Sequence, residues 1–229
     1  MPSDCPPNQG HLSEPELGMN RQLKRLLKTH LPDRVVEAYM HRRAIRDWRK
    51  RDFLENAPQF VKEKVFLKYG ISDTPWVETG TFTGTTTRFL SSRFPFVYSI
   101  EPETGLYGLA VAKFKQGRRD NVELFNGVSE DVLPELLPSL EGDINFWLDG
   151  HYSHGETYKG ATDCPVEMEL ESIRQQLPRF SRVAILIDDV RCFLAGLEDF
   201  PSIDYLVDWA RGHQFSWCIE HDIFIMRRH

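Results

Sequence analysis

Hydrophobic positions recur at helical spacing from Met19 onward: Leu23, Leu26, Leu27 and Leu31, then Val35, Val36, Tyr39 and Met40, then Ile45 and Trp48, with Arg and Lys between them. This period predicts amphipathic helices, broken near Pro32. A further helix follows Asn56, with Pro58 in its first turn and Val61, Val65, Phe66 and Tyr69 on one face, and it stops at Gly70. From Pro75 the texture changes to short apolar runs alternating with helical segments. The runs predict strands over 76–78, 96–100, 122–125, 144–148 and 183–187, and helices over 85–92, 104–116, 130–137 and 166–177 lie between them. A last helix starts near Pro201 and ends before Gly212. Two closing runs, 215–219 and 223–226, are joined by Glu220-His221-Asp222, short enough for a hairpin. Strands alternating with helices specify an α/β class: a Rossmann-like, doubly wound, mostly parallel sheet behind an N-terminal helical extension.

Composition narrows the class. The 229 residues are 41% apolar, 27% charged and 12% aromatic, as in an ordinary globular protein. The length suits one domain with an extension better than two full domains. The expected division is a flexible tail over 1–18, rich in Pro, Ser, Asn and Gly, a helical extension over 19–73 and a main domain over 74–229. The net charge of −6 argues against binding nucleic acid through the whole surface. It is unevenly spread: eleven Lys or Arg fall between Arg21 and Arg51, whereas from Asn56 onward there are 26 acids and 17 basic residues. The basic front is read as a solvated helix face, or as a surface for an anionic substrate. Cys5, Cys164, Cys192 and Cys218 are far apart and show no zinc spacing, as expected of a reduced, cytoplasmic protein. No apolar signal core opens the chain, and the longest aliphatic run, 183–187, is far below the ~18 residues of a membrane span, so no membrane association is expected.

The chemistry concentrates where strands run out into loops. The first junction reads Glu78-Thr79-Gly80-Thr81-Phe82-Thr83-Gly84-Thr85-Thr86-Thr87. Two glycines four apart let the backbone turn sharply and approach a ligand, and the helix that follows offers N–H groups. The spacing is neither G-x-G-x-x-G nor a phosphate loop, because Phe82 takes the middle glycine's position and no Lys follows. Glu101, 23 residues after Glu78, ends the second strand, where an acid accepts hydrogen bonds from a ribose. An acid that opens the loop suits a ligand carrying an ammonium group better than a pyrophosphate, which points to S-adenosylmethionine. A plain tight turn with exposed strand-end acids is the alternative.

The fourth strand runs into Asp149-Gly150-His151-Tyr152-Ser153-His154 and the fifth into Asp188-Asp189. Three acids converging at one sheet edge repel one another, and Mg²⁺ or another divalent cation would relieve that repulsion. Alternatively, Asp188 and Asp189 cap a turn and Asp149 is an ordinary loop acid. A neutral imidazole at His151 would take a proton from a hydroxyl near neutral pH. Tyr152, Ser153, His154 and Tyr158 crowd the same polar segment as substrate contacts.

The runs ETGTFTGTT, SIEPETGLY, LDGHYSHG and IDDVR together resemble class I S-adenosylmethionine-dependent methyltransferases over about Pro75 to Met226. The detail is closest to the macrocin-type, metal-dependent O-methyltransferases, in which an aromatic also stands where the usual middle glycine does, here Phe82. The resemblance implies seven strands with the last antiparallel. It implies a cofactor site of Glu78, Thr79, Gly80, Thr81, Phe82, Gly84, Thr85, Thr86, Glu101 and Asp149, and Mg²⁺ on Asp149, Asp188 and Asp189. Two departures stand out: His151 replaces an Asp proposed as base, and Gly127-Val128-Ser129 replaces Gly-Asp-Ser, leaving Asn126 and Ser129 to reach the adenine edge.

The reaction so implied transfers a methyl group to a hydroxyl of a small molecule, a sugar or natural product, with Asp149 and His151 as catalytic groups. The helical front would cover the strand ends or form a homodimer surface. Two rivals use the same residues: a cofactor-binding protein without transferase activity, and a metal-dependent hydrolase indifferent to S-adenosylmethionine.

Overall fold

Apolar runs bounded by Gly, Pro and acids become strands because each can bury both faces of a sheet. A computed structural model describes residues 32–150, 164–195 and 199–229. The tail over 1–18 and the periodic leucines before Pro32 lie outside these residues. Two N-terminal helices, α1 (Asp33–Lys50) and α2 (Gln59–Tyr69), precede β1 (Trp76–Thr79), α3 (Thr85–Arg93), β2 (Val97–Glu101), α4 (Thr104–Gln116) and β3 (Val122–Asn126). There follow α5 (Ser129–Leu136), β4 (Gly142–Leu148), α6 (Val166–Gln176), β5 (Phe180–Ile187), a short α7 (Val190–Leu194), α8 (Ile203–Gly212), β6 (Ser216–Glu220) and β7 (Ile223–Arg228).

The seven strands form one sheet in the order β3-β2-β1-β4-β5-β7-β6. Strands β1 to β5 pair in parallel, and β7 runs antiparallel to both β5 and β6. The expected seven-stranded, doubly wound sheet with its antiparallel closing strand is therefore the observed fold. His221 and Asp222 join β6 to β7, both at positive φ (53° and 67°), the pattern of a tight two-residue hairpin.

Strand alternation divides the core in two. Val77, Phe146, Ile185, Ile187, Phe224 and Met226 point to one face, which α5, α6 and α8 cover. Their neighbours Trp76, Trp147, Leu186 and Ile225 point to the other. Helix α2 covers that second face through Val65 and Phe66, with the Phe66 ring 4.7 Å from Trp147 and 5.5 Å from Trp76, both edge-on. The helix is thus a core layer, and α1 docks on it by packing Trp48 against Ala57 and Val61. Asn145, buried in β4, fixes the segment between α2 and β1: its Oδ1 accepts from Ile71 N–H at 2.7 Å and its Nδ2 donates to the Ile71 and Thr74 carbonyls. Among the described residues, no helix is long and apolar enough to cross a membrane.

Candidate functional site

The strand order reverses between β1 and β4, and in open α/β sheets the crevice at the C-terminal ends of such a pair receives the ligand. Register brings the junctions together there: Asp149 N–H donates to the Thr79 carbonyl at 3.1 Å, and Asp188 N–H to the Leu148 carbonyl at 3.1 Å. The glycine loop folds over β2, its Gly80 and Thr81 N–H groups both 3.0 Å from the Ile100 carbonyl. Gly80 has φ +92°, and a Cβ there would stand 2.6 Å from the Asp149 carbonyl oxygen. Gly84, at φ +68°, would press a Cβ against the Phe114 ring. Phe82 turns the loop at φ 48°. Of the loop threonines, Thr81 shares a hydrogen with Ser99, Thr85 with Thr83, and Thr86 accepts from Gln59.

Two carboxylates sit under this loop. Glu78 is fully buried, and its Oε2 accepts from the Thr87 and Ser99 hydroxyls, each at 2.6 Å. Its Oε1 is buried with no partner, and burial, eased by those two hydroxyls, raises the carboxyl to about 7. Glu101 accepts from Phe82 N–H at 2.6 Å on Oε2 and from Glu103 N–H at 3.0 Å on Oε1. Each of its oxygens keeps a second lone pair for a ligand hydroxyl. A backbone cradle that a Cβ would fill, an orphaned acid for an ammonium and an acid for a ribose fit S-adenosylmethionine. Asn126, exposed at the end of β3, donates through Nδ2 to the Glu101 carbonyl at 2.9 Å, and Ser129 is buried beside Glu169.

Next to β1, Asp149, Asp188 and Asp189 lie near enough to act on one another electrostatically, and two of them already carry a cation. Lys62, on the buried face of α2, donates to Asp188 Oδ2 and lies 5.5 Å from the centre of the Trp147 ring. Burial alone disfavours its charge, yet Asp188, Asp149 and Asp189 together outweigh burial and hold Lys62 above the ordinary lysine range. Asp149, partly exposed, is raised well above the usual carboxylate range, by burial first and Asp188 second. Asp189 starts α7 at φ 56° and accepts from Arg191 at 2.8 Å. The same guanidinium bonds Asp222 in the hairpin turn and Asn56 ahead of α2. Among the described residues, no group of three His, Cys, Asp or Glu is arranged to hold a metal ion. With an ammonium on Asp188 and a guanidinium on Asp189, the donor set does not fit a divalent cation as it stands.

One acid of the site carries no signal in the sequence. Glu169, on α6, is 1% exposed and reaches under the fourth strand's exit, its Oε1 3.3 Å from where a Gly150 Cβ would stand. That oxygen has no partner, and burial raises Glu169 to about 7 against the opposing hydroxyls of Ser129 and Thr79. The catalytic candidate His151 and the substrate candidates Tyr152, Ser153, His154 and Tyr158 lie outside the described residues.

No family model and no curated protein sequence matches the chain. Solved structures do match its fold. A methyltransferase from Geobacter sulfurreducens aligns over 92% of this chain and 96% of its own, with a TM-score of 0.52 at 16% identity. A putative rRNA methylase from Clostridium thermocellum aligns over 72% and 93%, with a TM-score of 0.50 at 11% identity. The chain thus has the Rossmann-like fold of class I methyltransferases.

Proposed function

We propose that the chain is an S-adenosylmethionine-dependent methyltransferase acting on a hydroxyl of a small molecule. The observation that carries the reading is the buried, partnerless Glu78 Oε1 beneath a loop whose Gly80 admits no side chain. Glu78 would hold the ammonium of the methionyl group, Glu101 the ribose, and the Gly80 to Gly84 backbone the turn between them.

When bound, S-adenosylmethionine supplies the methyl group: its S–CH₃ bond breaks as a C–O bond forms, and S-adenosylhomocysteine departs. The chain's own part is positioning and proton transfer. Asp149 borders the loop, and burial and the neighbouring Asp188 raise its carboxyl above the usual range, which makes it the stronger base for the hydroxyl proton, directly or through His151 two residues on.

A second reading takes RNA as the acceptor. It draws on the Clostridium relative's description and on Arg42, Arg46, Arg49 and Lys50, which α1 exposes. The net charge of −6 favours the small molecule.

Calorimetry with S-adenosylhomocysteine, then transfer of a labelled methyl group to panels of hydroxylated small molecules and RNA, tests the assignment. Micromolar cofactor binding with transfer to a small molecule is expected. Binding without turnover would leave a cofactor-binding protein. No binding by folded protein would overturn the reading, and transfer to RNA that falls steeply with salt would replace the acceptor.

A further inference from the structure

The three acids at the ends of β4 and β5 resemble a metal site in composition, but Arg191 holds Asp189 from the side and Lys62 brings an ammonium onto Asp188. This lysine comes from the N-terminal extension, on the turn of α2 that also buries Val61, Val65 and Phe66. The residue is 7% exposed, and its ammonium meets Asp188, itself 1% exposed, over the face of Trp147. A buried ammonium with carboxylates around it answers the repulsion that a dication would answer, and a dication brought to the same acids would meet it at close range.

We propose that Lys62 is a built-in cation that takes the position of the divalent metal among Asp149, Asp188 and Asp189, so that the site works without metal and its charge balance is fixed by the docking of α2. One acceptor atom remains open: Asp188 Oδ1 is buried and has no partner. Removing the ammonium while keeping the stem would therefore leave Asp188 and Asp149 without their counter-charge, with Asp189 still on Arg191, in a pocket able to take a hard cation through oxygen ligands. Lys62 is in this sense a positioning residue, since it acts through the carboxylates it neutralises.

The test uses the full chain without cofactor, with Mn²⁺ as the probe, read by electron paramagnetic resonance and by thermal melting. The wild type and Lys62→Arg are expected to show no saturable Mn²⁺ uptake in the millimolar range. Lys62→Met, which keeps the stem against Trp147, is expected to bind one Mn²⁺ at least about tenfold more tightly than the wild type and to melt higher as Mn²⁺ is added. Loss of packing alone would create no such uptake. Saturable binding by the wild type that Asp149→Asn abolishes would overturn the proposal, as would a folded Lys62→Met that ignores the metal. If Lys62→Met does not fold, the wild-type titration decides. A parallel titration with S-adenosylhomocysteine keeps the two readings apart: its failure would sink the methyltransferase assignment and leave the Lys62 result standing.

Discussion

Gly80 and Asp149 touch across the point where the strand order reverses: a Cβ on Gly80 would stand 2.6 Å from the Asp149 carbonyl oxygen, at a φ of +92°. Space and backbone conformation both exclude a side chain there. Gly80→Ala is expected to cost about 2–4 kcal/mol in chemical denaturation and to weaken S-adenosylhomocysteine binding at least tenfold, because the loop must shift away from β4. Gly108→Ala is the control. Nothing lies within 4 Å of its Cβ on α4, and it should stabilise the chain by about 0.5–1 kcal/mol with unchanged binding. Equal behaviour of the two variants would remove the close approach from the cofactor site.

Glu101 uses one lone pair on each oxygen to hold Phe82 and Glu103 N–H groups. Glu101→Gln replaces one acceptor oxygen by a donor, so it both loosens the loop and loses a ribose hydroxyl. A drop of about 10–100-fold in S-adenosylhomocysteine affinity is expected, in line with about 1.5–3 kcal/mol for a hydrogen bond to a charged group. A smaller loss for 5′-methylthioadenosine lacking its ribose hydroxyls would locate the effect on the ribose. An undiminished affinity would reassign Glu101 to the loop alone.

The sheet was legible because apolar runs such as 183–187 end abruptly in acids, and those acids mark the sheet edge that carries the site. What stayed hidden has a common cause. Lys62 and Glu169 stand on helices, and a charged residue in a helix reads as part of its solvated face. Only the tertiary register shows Lys62 turned onto Asp188 and Glu169 turned under Gly150. Helix α7 escaped because five residues are too few for a period. The N-terminal helices were read as a layer, but which layer depends on Trp76 and Trp147 facing away from the main core, a matter of strand register.

Asn145 gives a prediction about stability alone. Its amide bridges the Ile71 N–H and the Ile71 and Thr74 carbonyls, and it is fully buried. Asn145→Ala leaves these groups without partners away from water and should cost about 3 kcal/mol. Lys68→Ala, which breaks an exposed ion pair with Glu220 on the same side of the sheet, should leave the denaturation midpoint unmoved. Equal midpoints for both variants would mean that water replaces the Asn145 amide.

Glu78 links cofactor binding to protons. With its carboxyl near 7, about a tenth of the molecules carry it ionised at pH 6 and most do so at pH 8. An ammonium group binds the ionised form, so S-adenosylhomocysteine affinity should rise about tenfold between pH 6 and 8, with proton release on binding. Calorimetry in buffers of different ionisation enthalpy reads that release. Glu78→Gln should bind more weakly and with a flatter pH profile, and a steep profile retained in this variant would assign the proton to another group.

Glu78 and Glu169 also bear on stability, and in the same direction. Both are near 7 in the folded chain and have an ordinary value of 4.5. Between those values the folded chain holds protons that the unfolded chain has lost, so stability falls as pH rises from about 4.5 to 7 and levels off above. The shifts correspond to about 3 kcal/mol for each residue, an upper figure because Ser99, Thr87, Ser129 and Thr79 adjust to the charged forms. Denaturant midpoints measured from pH 5 to 8 should therefore decline in the wild type. In Glu169→Gln, which keeps the shape and cannot ionise, the decline should shrink and the chain should gain stability at pH 8. A decline of unchanged steepness in Glu169→Gln would show that Glu169 is ionised and solvated, and would remove it from the buried edge of the site.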